Sequence, residues 1–278
     1  MRLAIAFFAA AATLAATAGA ATAAPSVEIK DAVVRVTVVP EDRADVKVEM
    51  ITTNGALPLE VRTVGSRTVI SGNLAHRITD CHTRGDHPSA HVRGVGDIRY
   101  EAMPQIVVHT PKAVAVETNG AVYGTVGRSG SIDLDNAGCS AWTLADVAGD
   151  AIVRASGAGS VRMGSAGHLQ AKLSGAGSLR ANTVRQGLDA TLSGAGSVDI
   201  ESLSGPMAAH VSGVGHIKVA QGHATAMEAS VSGVGSVDFG GDAQSLNASI
   251  SGFGGIRVKA VSGPVSKSIS GGGHVSIG

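Results

Sequence analysis

The chain has 278 residues, a formal net charge of zero, seven aromatic side chains and two cysteines. Neutrality excludes the basic footprint of a nucleic-acid partner, and so few aromatics argue against a carbohydrate cleft of stacked Trp and Tyr. Glycine is abundant (38 residues), but alanine and valine keep the apolar share at 44%, so this is no disordered Gly/Ser polymer.

The chain opens with Arg2, a short apolar run from Leu3 to Ala16, and small residues ending in Ala21-Thr22-Ala23. That order is the plan of a signal peptide, residues 1–23, with cleavage after Ala23. The residue directly after the site is Ala24 and not a cysteine, so a lipid anchor is not expected, and no later stretch is apolar enough to span a membrane. The mature chain is expected to be exported, to the periplasm or the cell surface, without membrane insertion.

Residues 24–92 are expected to form a β-rich cap. Val34/Val36/Val38, Val46/Val48 and Val61/Val69 keep the alternation of strands with one buried face, with turn signals at Pro40-Glu-Asp, Asn54-Gly and Ser71-Gly-Asn. The segment ends in a His-rich stretch: His76, Asp80, Cys81, His82, Asp86, His87 and His91. Its spacings match no standard zinc pattern, so a polar surface loop is expected, with no metal and no cofactor. In an exported chain Cys81 and Cys139 are the one available disulfide pair, the alternative being two separate thiols.

From residue 93 the chain reads as a parallel β-solenoid, irregular at first and regular from Ser156. Ser-Gly-x-Gly begins at Ser156, Ser174, Ser193, Ser212, Ser232, Ser251 and Ser270, in steps of 18, 19, 19, 20, 19 and 19. A fixed step of this length marks a stack in which each coil touches only its neighbours. Inside each coil the period is two. Leu188/Ala190/Leu192 precede one corner and Val198/Ile200 follow it; the other coils repeat the pattern, and Val184, Leu203 and Val261 add a third apolar position. Nothing has helical period. The corner glycines (Gly175 and Gly177, Gly194 and Gly196, Gly213 and Gly215, Gly233 and Gly235) serve a tight turn. The recurring serines, Ser174, Ser193, Ser212 and Ser232 among them, are expected to stack with bonded hydroxyls. The motif is a corner device and names no activity. Alanine at 171, 190, 209, 229 and 248 implies a narrow, filled interior without room for a ligand.

The outward positions Arg162, Arg180, Asp199, Lys218, Asp238 and Arg257 alternate in sign from Arg180 onward. Stacked about 4.8 Å apart, they form a ladder of exposed pairs. Asp199 and Asp238 would stand roughly 9.6 Å apart, near the spacing of an inverting glycosidase pair, but Lys218 lies between them and no cleft encloses them. No catalytic residue is expected. Arg180, Lys218 and Arg257 are the expected surface contacts.

At these Ser-Gly-x-Gly-x-apolar-x-apolar coils the sequence resembles the head GIN domain family of auto-transporter adhesins. The resemblance covers about residues 93–278, with Arg93-Gly-Val-Gly-Asp-Ile-Arg-Tyr100 resembling the family's opening motif. It implies an exported, right-handed β-helix with a role in adhesion or cell-surface interaction, and it carries no catalytic residues. No membrane barrel is written after the repeats, so self-secretion is not expected and the periplasm stays as open as the surface. The expected function is a non-enzymatic solenoid that contacts an envelope component or glycan through polar faces. Two alternatives stand beside it: a polysaccharide-acting enzyme with a site in 76–100 (Asp80, His82, Asp86, His87, His91, Arg93), and a periplasmic scaffold forming a homo-oligomer through its C-terminal edge.

Overall fold

A computed structural model of the chain describes residues 24–82 and 88–278. The signal-peptide segment, Asp86 and His87 lie outside the described residues. The protein is all-β, with a solenoid of about nine turns at about 19 residues per coil.

Five strands begin the chain: β1 (Ser26–Glu41), β2 (Lys47–Thr52), β3 (Glu60–Val64), β4 (Arg67–Ser71) and β5 (Ile78–His82). Then come β6 (Ser89–Val92), β7 (Gly96–Arg99), one 3-10 turn at Tyr100–Ala102, β8 (Gln105–Pro111) and β9 (Ala113–Val126). The coils continue through β10 (Ser131–Gly138), β11 (Ala141–Leu144), β12 (Ala151–Ala155), β13 (Ser160–Leu173), β14 (Ser178–Leu192), β15 (Ser197–Val211) and β16 (His216–Gly233). The last coils are β17 (Ser236–Ala243), β18 (Leu246–Gly252), β19 (Gly255–Val261), β20 (Val265–Gly271) and β21 (His274–Ile277).

Two walls of parallel strands share this chain. The wall after each corner runs β8, β1, β9, β11, β13 through β17, β19, β21. The wall before it runs β4, β1, β9, β10, β12, β13 through β16, β18, β20. In β13 through β16 one strand carries a whole coil through both walls, so the looser corner expected between them stays inside the ladder. Register shifts absorb it there, for example at Ala166/His168 and Gly205/Met207. Only Ser-Gly-x-Gly interrupts the coil.

The segment expected as a cap divides. β1 is itself a rung, inserted between β8 and β9 on one wall and between β4 and β9 on the other. The covering is done by β2 and β3, which pair antiparallel to β8 and β4 and close the N-terminal end of both walls. Strands β5, β6 and β7 form a separate antiparallel sheet. Arg93–Tyr100 therefore does not open the stack. Gly94 and Gly96, at φ +82° and +102°, make the β6–β7 hairpin turn, in which Val92 pairs with Gly96. Gly-x-Gly serves a hairpin as readily as a corner, since both ask for left-handed backbone.

The interior is a set of side-chain columns. Ala171, Ala190, Ala209, Ala229 and Ala248 stack in register and are fully buried, continuing Val116, Leu134 and Val153 of earlier rungs. Earlier rungs are wider: Trp142 is 1% exposed and lies over Gly124, where a methyl group would overlap its ring. The alanine column ends at Lys267 of β20, in register with Ala248 and exposed.

Close approach explains the corner glycines better than φ does. Only the last three copies hold the first glycine at positive φ (Gly233, Gly252 and Gly271). In every coil, though, a methyl group on either glycine would collide with the corner below. At Gly233 it would lie 2.6 Å from the Gly213 carbonyl, and at Gly177 it would lie 2.9 Å from that of Gly159. The same overlap is built into Gly175, Gly194, Gly196, Gly213, Gly215 and Gly235. The corners still bond rung to rung: Ser193 N–H donates to Leu173 O (2.9 Å), Ala195 to Gly175 O (3.1 Å) and Ser197 to Gly177 O (3.1 Å). The serine hydroxyls depart from expectation. Ser174, Ser193, Ser212 and Ser232 are exposed, and among the described residues their side chains bond neither each other nor the backbone. Nothing in the structure explains serine there beyond its small size.

Candidate functional site

With the interior filled, chemistry is left to three outer features. The first is the charged column. Arg162, Arg180, Asp199, Lys218, Asp238 and Arg257 stand in register on successive rungs. Arg257 Nη1 donates to Asp238 Oδ1 at 2.7 Å, and Arg180 Nε lies 3.8 Å from Asp199 Oδ2. His216 Nε2 approaches Asp199 Oδ1 at 3.6 Å. Lys218 stands between the two aspartates and comes within ion-pair distance of neither. The arginines are about two-thirds exposed and the aspartates about one-third. Pairs so open contribute a few tenths of a kcal/mol each, roughly. They arrange charge on a surface without enclosing a reacting group.

The second feature is the side sheet. Cys81 of β5 is bonded to Cys139, which sits in the corner between β10 and β11, with Cα atoms 6.2 Å apart. A second apolar cluster joins Ala90, Val92 and Ile98 of this sheet to Val33, Ala121 and Tyr123 on the outside of the stack. Tyr123 is 5% exposed, and its hydroxyl donates to the carbonyl of Ser89 (3.0 Å) or His82 (3.1 Å). Burial pushes its pKa up to about 12. Beside the disulfide lies an open cleft of about 420 Å³ lined by Asp31, His76, Asp80, Asn119 and both cysteines.

Among the described residues, those weighed for an enzyme in this region do not converge. Asp80 Oδ1 accepts the Cys81 N–H (2.7 Å). Asp80, His91 and Asp97 share one row across β5, β6 and β7, with His91 Nδ1 2.6 Å from Asp97 Oδ1, on an exposed face. The Arg93 carbonyl accepts from the Arg77 guanidinium in the hairpin turn (3.0–3.1 Å). Among the described residues no three His, Cys, Asp or Glu side chains are grouped to hold a metal ion. No described helix is long and apolar enough to cross a membrane.

The third feature is one the sequence reading passed over. The x of Ser-Gly-x-Gly points outward and, unlike the two glycines, has room for a side chain. Read along the stack it is Cys139, Ala158, Ala176, Ala195, Val214, Val234, Phe253, Gly272. The column starts with the disulfide and grows into an apolar ridge: Val214 is 69% exposed, Val234 63% and Phe253 76%. The drift from alanine to valine to phenylalanine was visible in the sequence. Its exposure follows only from the way the corner turns.

These features define a β-solenoid with a filled interior and side chains ordered in columns on its surface. No protein-family model matches the chain, and no curated protein matches it. One solved structure, described as "a putative adhesin" from Bacteroides fragilis NCTC 9343, is similar over 91% of this chain and 92% of its own. The sequences are 15% identical and the TM-score is 0.42, an overlap too loose to carry fold or function across.

Proposed function

We propose that the chain is a non-catalytic, exported solenoid that meets an envelope component or glycan along its outer walls, with adhesion or surface contact as its role. One observation carries this reading: Arg180, Asp199, Lys218, Asp238 and Arg257 are held in register on a rigid wall. Such a row offers one weak polar contact per rung, which suits a repeating polymer, because linked weak contacts sum to avidity. The Cys81–Cys139 bond supports an oxidising address outside the cytoplasm. The second reading, a scaffold that self-associates through β20 and β21, draws on exposed Val265 and Ile269. Lys267 on the inward column works against it, since an edge partner would have to bury that charge.

The test replaces Arg180, Lys218 and Arg257 together with glutamine and measures retention on cell-wall and polysaccharide material. Retention is expected to fall sharply while the thermal midpoint moves little. Unchanged retention would reduce the ladder to structure. Protease treatment of intact cells, with a periplasmic protein as control, assigns the address: digestion places adhesion first, protection the scaffold.

A further inference from the structure

Between the apolar ridge and the charged column lies a hollow of about 250 Å³, lined by Val234, Ser236, Asp238, Phe253, Arg257 and His274 around Gly255. Each wall has a local cause. Phe253 leans over the next corner because that corner's x residue is Gly272; a methyl group there would lie 2.8 Å from the ring's Cδ1. The ring is thus seated on one side and open on the other. The floor column reads Ser160, Ser178, Ser197, His216, Ser236, Gly255, His274. At Gly255 the missing side chain lets the His274 ring close in as a wall of the hollow, so that a methyl group at 255 would lie 3.1 Å from its Cε1 and push the ring aside. Asp238 forms the polar wall, held by Arg257 Nη1 (2.7 Å) and Ser236 Oγ (3.2 Å). A carboxylate has about four acceptor sites and a guanidinium five N–H donors, so this pair keeps capacity for a ligand. Among the described residues Phe253 is the only exposed phenylalanine, Phe239 being buried.

We infer that this hollow is a monosaccharide subsite, in which one pyranose lays an apolar C–H face on Phe253 and directs neighbouring hydroxyls to Asp238 and Arg257. A single aromatic face with donors and acceptors along one side fits a ring that is apolar on its face and polar on its rim. A lipid surface would ask for a continuous apolar patch, and the ridge is hemmed by charge. The size suits one ring, being smaller than the roughly 300–1,000 Å³ of drug-sized clefts. The inference rests on the glycan-contact reading and gives it a place.

The test uses two variants that borrow residues from neighbouring coils and so keep the fold: Phe253→Val, as at Val214 and Val234, and Gly255→Ser, as at Ser236. The full chain is labelled on its phenylalanine rings and titrated with the methyl glycosides of glucose, galactose, mannose and N-acetylglucosamine, with cyclohexanol as an apolar control. The Phe253 signals are those missing from the Phe253→Val spectrum. At least one glycoside is expected to shift them saturably while the buried Phe239 signals stay still, and Gly255→Ser is expected to abolish the shift. No shift with any glycoside, an equal shift with cyclohexanol, or a shift that survives Gly255→Ser overturns the subsite. Retention of the wild type on polysaccharide separates the two readings. Retention without a glycoside shift leaves the ladder standing and removes the subsite. A shift without retention does the reverse.

Discussion

At the scale of single residues, burial of a polar group decides more than charge does. Tyr123 places a phenol between the side sheet and the stack, with its hydroxyl bonded to carbonyls of the sheet. Its pKa rises from 10 to about 12 because the phenolate would lose water there. The unfolded chain keeps the ordinary value, so below pH 10 both states hold the proton and stability is independent of this group. Between about pH 10 and 12 the unfolded state releases the proton first, and stability falls as pH rises, by about 2–3 kcal/mol in all. Denaturant melts across that range should reveal the loss, and Tyr123→Phe should remove most of the slope. A slope that persists in the phenylalanine variant would assign the alkaline loss to other groups. The glycines make the same point in space: at Gly177 and Gly233 a carbonyl of the coil below stands 2.9 and 2.6 Å from where a Cβ would sit, too close for a side chain.

At the scale of elements, the side sheet of β5, β6 and β7 is held to the stack by two different means. One is the apolar contact of Ala90, Val92 and Ile98 with Val33, Ala121 and Tyr123. The other is the Cys81–Cys139 bond, which closes 58 residues of chain. Replacing both cysteines with serine should cost about 2–4 kcal/mol by freeing the unfolded chain. In the native state the change should be local: amide exchange should quicken in 78–99, while the coils from Ser160 keep their protection. Uniform loosening of the coils would mean the bond supports the stack itself. The pairing of the cysteines was legible because only one pair exists, and the alternating valines of β1 were legible as a strand. Where β1 inserts was not. A segment that occurs once carries no repeat to say which rung it joins, and its place between β8 and β9 depends on pairing with residues 70 or more positions away, as Arg35 with Gln105. Arg93-Gly-Val-Gly96 misled for a related reason: two glycines flanking one residue satisfy a hairpin and a solenoid corner alike.

At the scale of the whole molecule, the stack behaves as a sum of coils, and this is why so much of it could be read from a 19-residue step. Each rung copies the backbone of the one before, so a residue type repeated at one phase names a column: the alanines of the core, the corner glycines, the outer charges. The exposed ridge from Val214 to Phe253 is not marked by a repeated residue type, because it is a trend within a column. The same logic predicts what removal of coils does. Deleting residues 193–211 joins Leu192 to Ser212, as Leu192 now meets Ser193, and sets Arg180 directly against Lys218. Deleting 193–231 removes two coils and sets Arg180 against Asp238. Both chains should fold, because the core columns of the two main walls, those of Leu179 and Ala181 and of Leu188, Ala190 and Leu192, continue across the junction, and small-angle scattering should find them shorter by about 4.8 and 9.6 Å. They should differ in response to salt. Screening should relieve the like-charged contact in the one-coil deletion, raising its stability relative to the two-coil deletion by a few tenths of a kcal/mol, roughly. Failure of either chain to fold would show that the coils are not interchangeable. Equal salt responses would show that the outer ladder adds nothing to the fold, leaving its alternating charges to serve only what the surface meets.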